Sequence, residues 1–325
     1  MTEILPTDRE PKIDGPSAVT IGKFDGVHVG HQAIIDQTVL SARDIEGVSV
    51  VINMWPHPAT VLAPGMKISL LTTLEDRLDL IALRAPDYVQ IAKFDVHFSQ
   101  QSATDYLSSL REKLGMKVLV LGEDARLGRD RHAGIDELKQ ITSRLGVRLK
   151  VVEVVGSGER IGSGLVRKAY SHGDVSNAAR LLGRLPSYRG VVETGDRRGR
   201  ELGFPTANLR VRSDLALPVP GIYKGSAVLV DQPESGRLSA VISLGTRPTF
   251  VENGELLLEV HLLDFDQDLY GAELRVFFED LIRSQAKFSS VEELVEAMHG
   301  DVAAALALPQ PPDDLYEPWA PYSHT

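Results

Sequence analysis

Cysteine is absent from the 325-residue chain. That excludes disulfides, zinc–thiolate centres and thiol nucleophiles together. No apolar run approaches the ~20 residues needed to cross a bilayer, so no membrane partner is expected. The opening stretch MTEILPTDREPKID is acidic and polar, unlike the basic and then apolar pattern of an export signal. A cytoplasmic location is the expectation. Positive charge is also scarce: 35 Lys and Arg stand against 45 Asp and Glu, a net charge of −10. A nucleic-acid binder usually carries a basic face, and none is expected here. The densest basic clusters, Arg126 to Arg131 and Asp196 to Arg200, are short and rich in glycine or acid. Such clusters suit a small phosphate better than a polynucleotide.

The apolar fraction is 43% and the charged fraction 25%, as in ordinary globular chains, and the length suggests two domains. Strand-like runs at 18–22, 48–53, 88–92, 117–121 and 148–155 alternate with helical spacing at 31–44, 74–84, 103–113 and 135–144. That alternation predicts an α/β domain with a parallel, Rossmann-like sheet. From Tyr188 to Phe278 the chain carries β-type runs between Gly and Pro turns, which predicts an all-β barrel or sandwich. One amphipathic helix should follow at 290–305, capped by Ser289 or Ser290 with Glu292 and Glu293 in its first turn. The organisation predicted is a flexible arm at 1–16, a first domain at 17–184, a second at 185–306, and a Pro-rich disordered tail at 307–325.

The densest motif is Gly22-Lys-Phe-Asp-Gly-Val-His-Val-Gly-His31. A strand ends, a glycine-containing loop follows, and a helix begins. Backbone N–H groups at a helix start form an anion site. His28 and His31 add donors, and Gly30 lets a phosphate approach. The arrangement suits a nucleotide triphosphate, where charge builds up as pyrophosphate leaves. A metal pair or two surface histidines is the plainer reading of the same residues.

In the second half, glycines at 190, 195, 199 and 203 precede Pro205-Thr-Ala-Asn208. Glycine permits tight turns and close approach to phosphate, although a glycine-rich hairpin also arises from turn chemistry alone. The Thr206 hydroxyl and the Asn208 amide are oxygen ligands suited to a hard cation such as Mg²⁺, which binds few protein oxygens plus phosphates. Glu259 ends the apolar run Leu256-Leu-Leu258. A buried carboxylate has a raised pKa, which suits a general base. The plainer reading is a strand-end ion pair with Arg275. His261 and His299 read as structural.

These strings, with Pro56-His57-Pro58 and Lys67 to Ile81, resemble the prokaryotic bifunctional riboflavin kinase/FAD synthetase family over about residues 17–305. The resemblance implies that the first domain is an H-x-G-H nucleotidyltransferase joining AMP from ATP to FMN, with Mg²⁺. His28 and His31 would act on the ATP phosphates. Gly22, Phe24, Asp25, Gly30, His57, Ser163 and Arg167 would line the nucleotide site. The second domain would be a six-stranded antiparallel riboflavin kinase barrel. There Gly195, Gly199, Gly203, Pro205, Thr206 and Asn208 would bind nucleotide, and Thr206 and Asn208 the metal. Glu259 would deprotonate the ribityl 5′-hydroxyl of riboflavin, and Arg283 and Phe288 would lie at the flavin.

Departures from the family pattern are concentrated in the first domain. Lys23 replaces Asn or Val, Asn53-Met-Trp55 replaces T-F-(D/E), and Ala125 and Leu127 replace two aromatics. In the second nucleotide motif, Gly164 and Leu165 replace Thr and Arg. Leucine cannot supply the forked cation that arginine gives to phosphate, and Lys23 and Arg126 are the nearby cations that would compensate. Arg247 replaces Asn in the second domain. At this level adenylylation of FMN, a silent first domain, another nucleotide or flavin, and a non-catalytic binding regulator all remain open.

Overall fold

The computed structural model describes residues 2–153, 155–156, 159–195, 199, 202–246 and 256–316. By its contacts the chain divides into two compact units, residues 1–163 and 164–325.

The first unit is built on a six-stranded sheet whose paired strands all run parallel. Its strands are β1 (Glu3–Leu5), β2 (Ser17–Gly22), β3 (Val48–Trp55), β4 (Tyr88–Lys93), β5 (Met116–Gly122) and β6 (Arg148–Val152). Their order is β1-β4-β3-β2-β5-β6. A parallel sheet needs cover on both faces, so its central strands read as continuous apolar runs. Val19, Ile21, Val50 and Ile52 face a core closed by Leu107, Leu110, Leu138 and Ile141. Those side chains come from helices α5 (Ala103–Leu114) and α6 (Ile135–Leu145), which take their numbers from chain order. On the other face, Ala18, Val118 and Val120 pack with Ala42 of α1 (Val29–Arg43). From β2 the order runs one way through β3 and β4, and the other way through β5 and β6. The sheet therefore reverses between β2 and β5, and ligands bind off the carboxyl ends of strands at such a switch point. The Gly22–His31 loop leaves β2 at that point.

The remaining helices of this unit are α2 (Pro58–Leu62), α3 (Leu74–Ala82) and α4 (Val96–Ser99). Thr73 caps α3 by accepting from the Asp76 N–H, and Ser102 caps α5 by accepting from the Asp105 N–H. At Gly115, which ends α5 with φ 60°, an added Cβ would lie 2.2 Å from the Gly15 carbonyl oxygen.

The second unit begins with α7 (Ser163–Ser171, opening on the last residue of the first unit) and α8 (Val175–Leu182). Six antiparallel strands then close into a barrel in the order β10-β13-β12-β11-β14-β9. They are β9 (Ser187–Glu193), β10 (Ala207–Arg210), β11 (Gly221–Leu229), β12 (Leu238–Thr246), β13 (Leu256–Leu262) and β14 (Glu273–Ser284). The labels β7 (Val155–Gly156) and β8 (Glu159–Arg160) belong to a small antiparallel pair. Alternate side chains fill the barrel, among them Leu209, Tyr223, Ile242, Leu258, Val260, Val276 and Phe278. The terminal helix α9 (Val291–Ala307) is capped as its sequence predicts. Ser290 Oγ accepts from the Glu293 N–H at 3.2 Å, and the Glu293 carboxylate accepts from the Ser289 N–H at 2.9 Å. Those bonds from Ser289 hold the Glu293 carboxyl below its usual range.

Three sequence expectations are corrected by the structure. Residues 3–5 are not part of a loose arm: β1 pairs with β4, and Leu5 is 1% exposed. The strand expected over 148–155 ends at Val152. By contacts the units divide at 163/164, ahead of the boundary expected at 184/185. The reason is that Val175 joins the barrel core and Ala179 packs with Leu185, Phe277 and Tyr316. The tail is structured as far as Tyr316. The Lys224 ammonium, 3% exposed, donates to the carbonyls of Leu308 (3.0 Å) and Pro309 (2.6 Å) and lies 3.4 Å from the Glu279 carboxylate. The Tyr316 hydroxyl donates to the same carboxylate at 2.6 Å. Arg237 stacks on the Tyr316 ring at 3.6 Å and pairs with Asp313 at 3.2 Å. Burial and the Glu279 carboxylate push the Tyr316 hydroxyl well above its ordinary pKa. Residues 317–325 lie outside the described residues.

Candidate active sites

In the first unit the loop between β2 and α1 is tightly wound. Phe24, Gly26 and Val27 have φ of 47°, 82° and 38°. Non-glycine residues in that region cost on the order of 1–3 kcal/mol and persist only where the surroundings fix them. Those surroundings are explicit. Asp25 Oδ1 accepts from the Leu71 N–H at 2.9 Å and from Arg77 at 3.1 Å. Arg77 also donates to the Lys23 carbonyl at 3.0 Å and to Thr72 Oγ1 at 3.2 Å. The Gly26 N–H donates to Thr72 Oγ1 at 3.3 Å, and Gln32 Nε2 donates to the Val27 carbonyl at 2.9 Å. Arg77 is 0% exposed and Asp25 2%. The guanidinium also lies over the Trp55 ring at 5.3 Å.

On this frame His28 caps α1: its Nδ1 accepts from the His31 N–H at 3.3 Å. An accepting Nδ1 assigns the ring proton to Nε2, which makes Nε2 a donor of the kind a phosphate oxygen takes. The His28 and His31 rings stack at 3.6 Å, and Phe24 meets His31 edge-on at 5.3 Å. A Cβ on Gly30 would lie 3.1 Å from the His28 ring, and one on Gly22 2.9 Å from the Phe24 ring. A side chain at either position would therefore have to push the His28 or the Phe24 ring aside. His57 likewise caps α2 through Nδ1, which accepts from the Ala59 N–H at 3.3 Å.

Residues 161 and 163, at the end of the first unit, reach this loop. Ser163 Oγ donates to the Asp25 carbonyl at 2.9 Å, and the Ile161 carbonyl oxygen lies 3.7 Å from where a Gly30 Cβ would stand. Arg167 stands one turn further along α7, in the second unit. Arg126 is exposed.

In the second unit the ladder itself assembles the site. Asn208 on β10 is directly opposite Glu259 on β13 and, on its other side, Glu193 on β9. Glu259 in turn faces Ser243 on β12. Directly opposed residues share a face, with Cβ atoms about 4.5–5.5 Å apart. Leu209, Leu258 and Val260 point into the barrel, so the row Glu193–Asn208–Glu259–Ser243 lies on its outer face. Glu259 is partly exposed, and the apolar run before it does not bury its carboxylate in the interior.

Glycine lets the chain close over this row. A Cβ on Gly195 would lie 2.4 Å from Asn208 Nδ2, and one on Gly199 would lie 2.4 Å from the Phe204 carbonyl oxygen and 3.4 Å from Thr206 Oγ1. Gly203 takes φ 86° in the same turn. The turn is pinned by the Phe204 N–H, which donates to the Gly199 carbonyl at 2.7 Å. His261 Nδ1 lies 2.8 Å from the Pro205 carbonyl oxygen. The Thr206 hydroxyl, beside the glycine-backed turn, and the Asn208 carboxamide on β10 fit a hard cation that also binds phosphate. Among the described residues there is no group of three or more His, Cys, Asp or Glu that would hold a metal by itself. Arg283 and Phe288 are brought together, the guanidinium 5.6 Å from the ring centre. Asp301 of α9 holds that guanidinium through two bonds of 2.7 Å. Arg247 lies outside the described residues.

Arg77, Glu193 and His261 were not singled out for the sites by sequence reasoning. Arg77 sits in an amphipathic helix, where a basic residue normally reads as solvated. Glu193 and His261 gain their positions from strand register, which a single strand does not announce.

Comparison with known proteins gives both halves a family. A model described as riboflavin kinase matches residues 182–308, and one described as FAD synthetase matches residues 10–164. A bifunctional riboflavin kinase/FMN adenylyltransferase of Listeria monocytogenes is 32% identical over 285 residues, covering 87% of this chain and 89% of the relative. The protein of the same name from Escherichia coli strain K12 is 35% identical over 279 residues, covering 85% and 87%. A crystal structure named as a macrolide-efflux protein from Streptococcus pneumoniae aligns with a TM-score of 0.84 at 27% identity, over 94% of this chain and 99% of that one. With a parallel nucleotide-binding sheet and a closed barrel each matched to its own half, the chain belongs to the bifunctional riboflavin kinase/FMN adenylyltransferase family.

Proposed function

We propose that the barrel phosphorylates riboflavin to FMN and that the first unit adenylylates FMN to FAD, with ATP as donor in both. The observation that carries the kinase assignment is the pair Asn208–Glu259, with the Thr206 carbonyl accepting from Asn208 Nδ2 at 3.4 Å. Glu259 takes the proton of the ribityl 5′-hydroxyl. The freed oxygen attacks the γ-phosphorus, the new P–O bond forms, and the bond to the ADP oxygen breaks. Thr206 and Asn208 would hold Mg²⁺, which when bound offsets the negative charge of the phosphates. Phosphoryl transfer asks the protein mainly for positioning and charge, and a register-locked strand pair supplies the first of these. Arg283 and Phe288, held by Asp301, would contact the flavin.

In the first unit a phosphate oxygen of FMN attacks the α-phosphorus of ATP and pyrophosphate leaves. The nucleophile is already an anion, so no general base is required. His28, with its ring proton on Nε2, and His31 would donate to the phosphates of ATP. The Ser163–Asp25 bond ties the residue at the start of the second motif to the strained loop of the first, which supports this reading. Leucine at 165 cannot supply the family's phosphate-binding cation, so that role falls to the histidines and the backbone of the loop. The adenylylation reading is supported by the FAD synthetase match and the bifunctional relatives, despite the departures at 164 and 165. The name of the Streptococcus pneumoniae structure does not carry over. No helix among the described residues is long and apolar enough to cross a membrane.

The test is a product assay. Riboflavin, Mg²⁺ and ATP should yield FMN and then FAD, resolved by chromatography and mass, and a parallel reaction starting from FMN should yield FAD. Replacing both His28 and His31 by alanine should remove FAD formation and leave FMN formation at its parental rate. FMN without FAD from the parent protein would mean a silent first unit. A product only with CTP or GTP would mean a changed nucleotide.

A further inference from the structure

The strand that carries Glu259 also holds the turn that carries Thr206. Glu259 and His261 are two residues apart on β13, so their side chains share the outer face. The ladder between β10 and β13 ends at the pair Ala207–Val260. One step further, backbone pairing gives way to a side chain: the His261 ring meets the Pro205 carbonyl at 2.8 Å. A carbonyl only accepts, so Nδ1 carries the proton in this bond. The ring also packs on Phe204, with centroids 5.3 Å apart, and Phe204 is met on another side by His299 of α9 at 4.9 Å. Phe204 is 6% exposed, and its N–H is tied to Gly199. The segment Phe204–Pro205–Thr206 is therefore fixed from three directions, and His261 refers it to the strand of the proposed base through both its Nδ1 bond and its ring contact with Phe204.

We infer that His261 is a positioning residue of the riboflavin kinase site, setting the Thr206 hydroxyl at a fixed offset from the Glu259 carboxylate. The inference rests on the proposed roles of Thr206 and Glu259. The role assigned to His261 works through Thr206 rather than through direct contact with flavin or nucleotide. Its work is done at one ring atom, Nδ1, and this separates it from a residue needed for bulk or packing alone.

Asparagine and glutamine distinguish these roles. In asparagine the amide nitrogen is bonded to Cγ, as Nδ1 is. In glutamine it is one bond further out, where Nε2 lies. His261→Ala, His261→Gln and His261→Asn would be made in the full chain. FMN formation would be measured against MgATP and against free Mg²⁺, with riboflavin saturating, and Tm recorded for each. The expected result is a rise of roughly tenfold in the KM for MgATP for the alanine and glutamine variants, the scale of one lost hydrogen bond. The KM for riboflavin should stay within about twofold, and asparagine should restore most of the MgATP affinity. Equal behaviour of asparagine and glutamine, or losses that follow Tm rather than the Nδ1 position, would overturn the inference. Thr206→Ala and Glu259→Gln are run alongside. If both lose FMN formation while all three His261 variants keep parental MgATP affinity, the positioning role alone falls. If both retain FMN formation, the underlying reading of the site falls with it.

Discussion

Glu259→Gln is expected to slow FMN formation by about 10²–10⁴-fold, the usual contribution of a positioned general base. Glutamine keeps the shape of the side chain and removes its ability to take a proton. Asn208 and Ser243 remain opposite it in the ladder, and the apolar neighbours Leu258 and Val260 still point inward. The fold should therefore survive, and affinities for riboflavin and MgATP should change little. The loss belongs in kcat, read from single-turnover FMN formation, with FAD formation from added FMN untouched. A glutamine variant that turns over within a few-fold of the parent would remove Glu259 as base and shift attention to Glu193, the other carboxylate beside Asn208.

The second large effect lies in the first unit. Arg77→Met should destabilise it by about 3–5 kcal/mol, because removing one partner of a buried ion pair leaves the other charge buried without that partner. Arg77 is wholly enclosed, and its bonds reach Asp25, Thr72 and Lys23. Methionine fills much of the volume and supplies none of the donors. The melting transition of this unit should fall on the order of 10 °C. FAD formation should be lost even below that temperature, because the positive-φ residues Phe24 and Val27 lose the contacts that hold their loop. FMN formation should persist. Calorimetry on the full chain, read beside separate FMN and FAD assays, checks all three. An unchanged transition with lost FAD formation would assign Arg77 to the loop alone and not to the stability of the unit.

What the sequence made legible was local or strongly patterned. The central strands are unbroken apolar runs, and helix starts carry Thr73, Ser102 and Ser290 as caps, so both were readable without a structure. The two candidate sites were readable because their motifs are contiguous strings. Features created by distant contacts were not. β1 has only three residues and no alternation, and it exists because β4 offers it an edge. Helix α8 is bounded by Asp174 as a cap and by Gly183 in the left-handed conformation. Its allegiance to the barrel depends on Val175 and Ala179 finding the barrel's side chains. Arg77 looks like a surface charge on its helix until Asp25 arrives from more than fifty residues away.

The Lys224 contacts bear on where such a chain may be cut. The riboflavin kinase match stops at residue 308, yet the ammonium inside the barrel wall rests on the carbonyls of both Leu308 and Pro309, and Tyr316 supplies the partner of Glu279. An expression boundary drawn where family similarity ends would split that pair of carbonyls and discard the tyrosine. The product would keep every strand and every residue of the proposed kinase site. It would also carry an enclosed lysine and glutamate stripped of part of their solvation, and chains trimmed after Leu308 should accumulate as aggregate where chains ending beyond Tyr316 remain in solution.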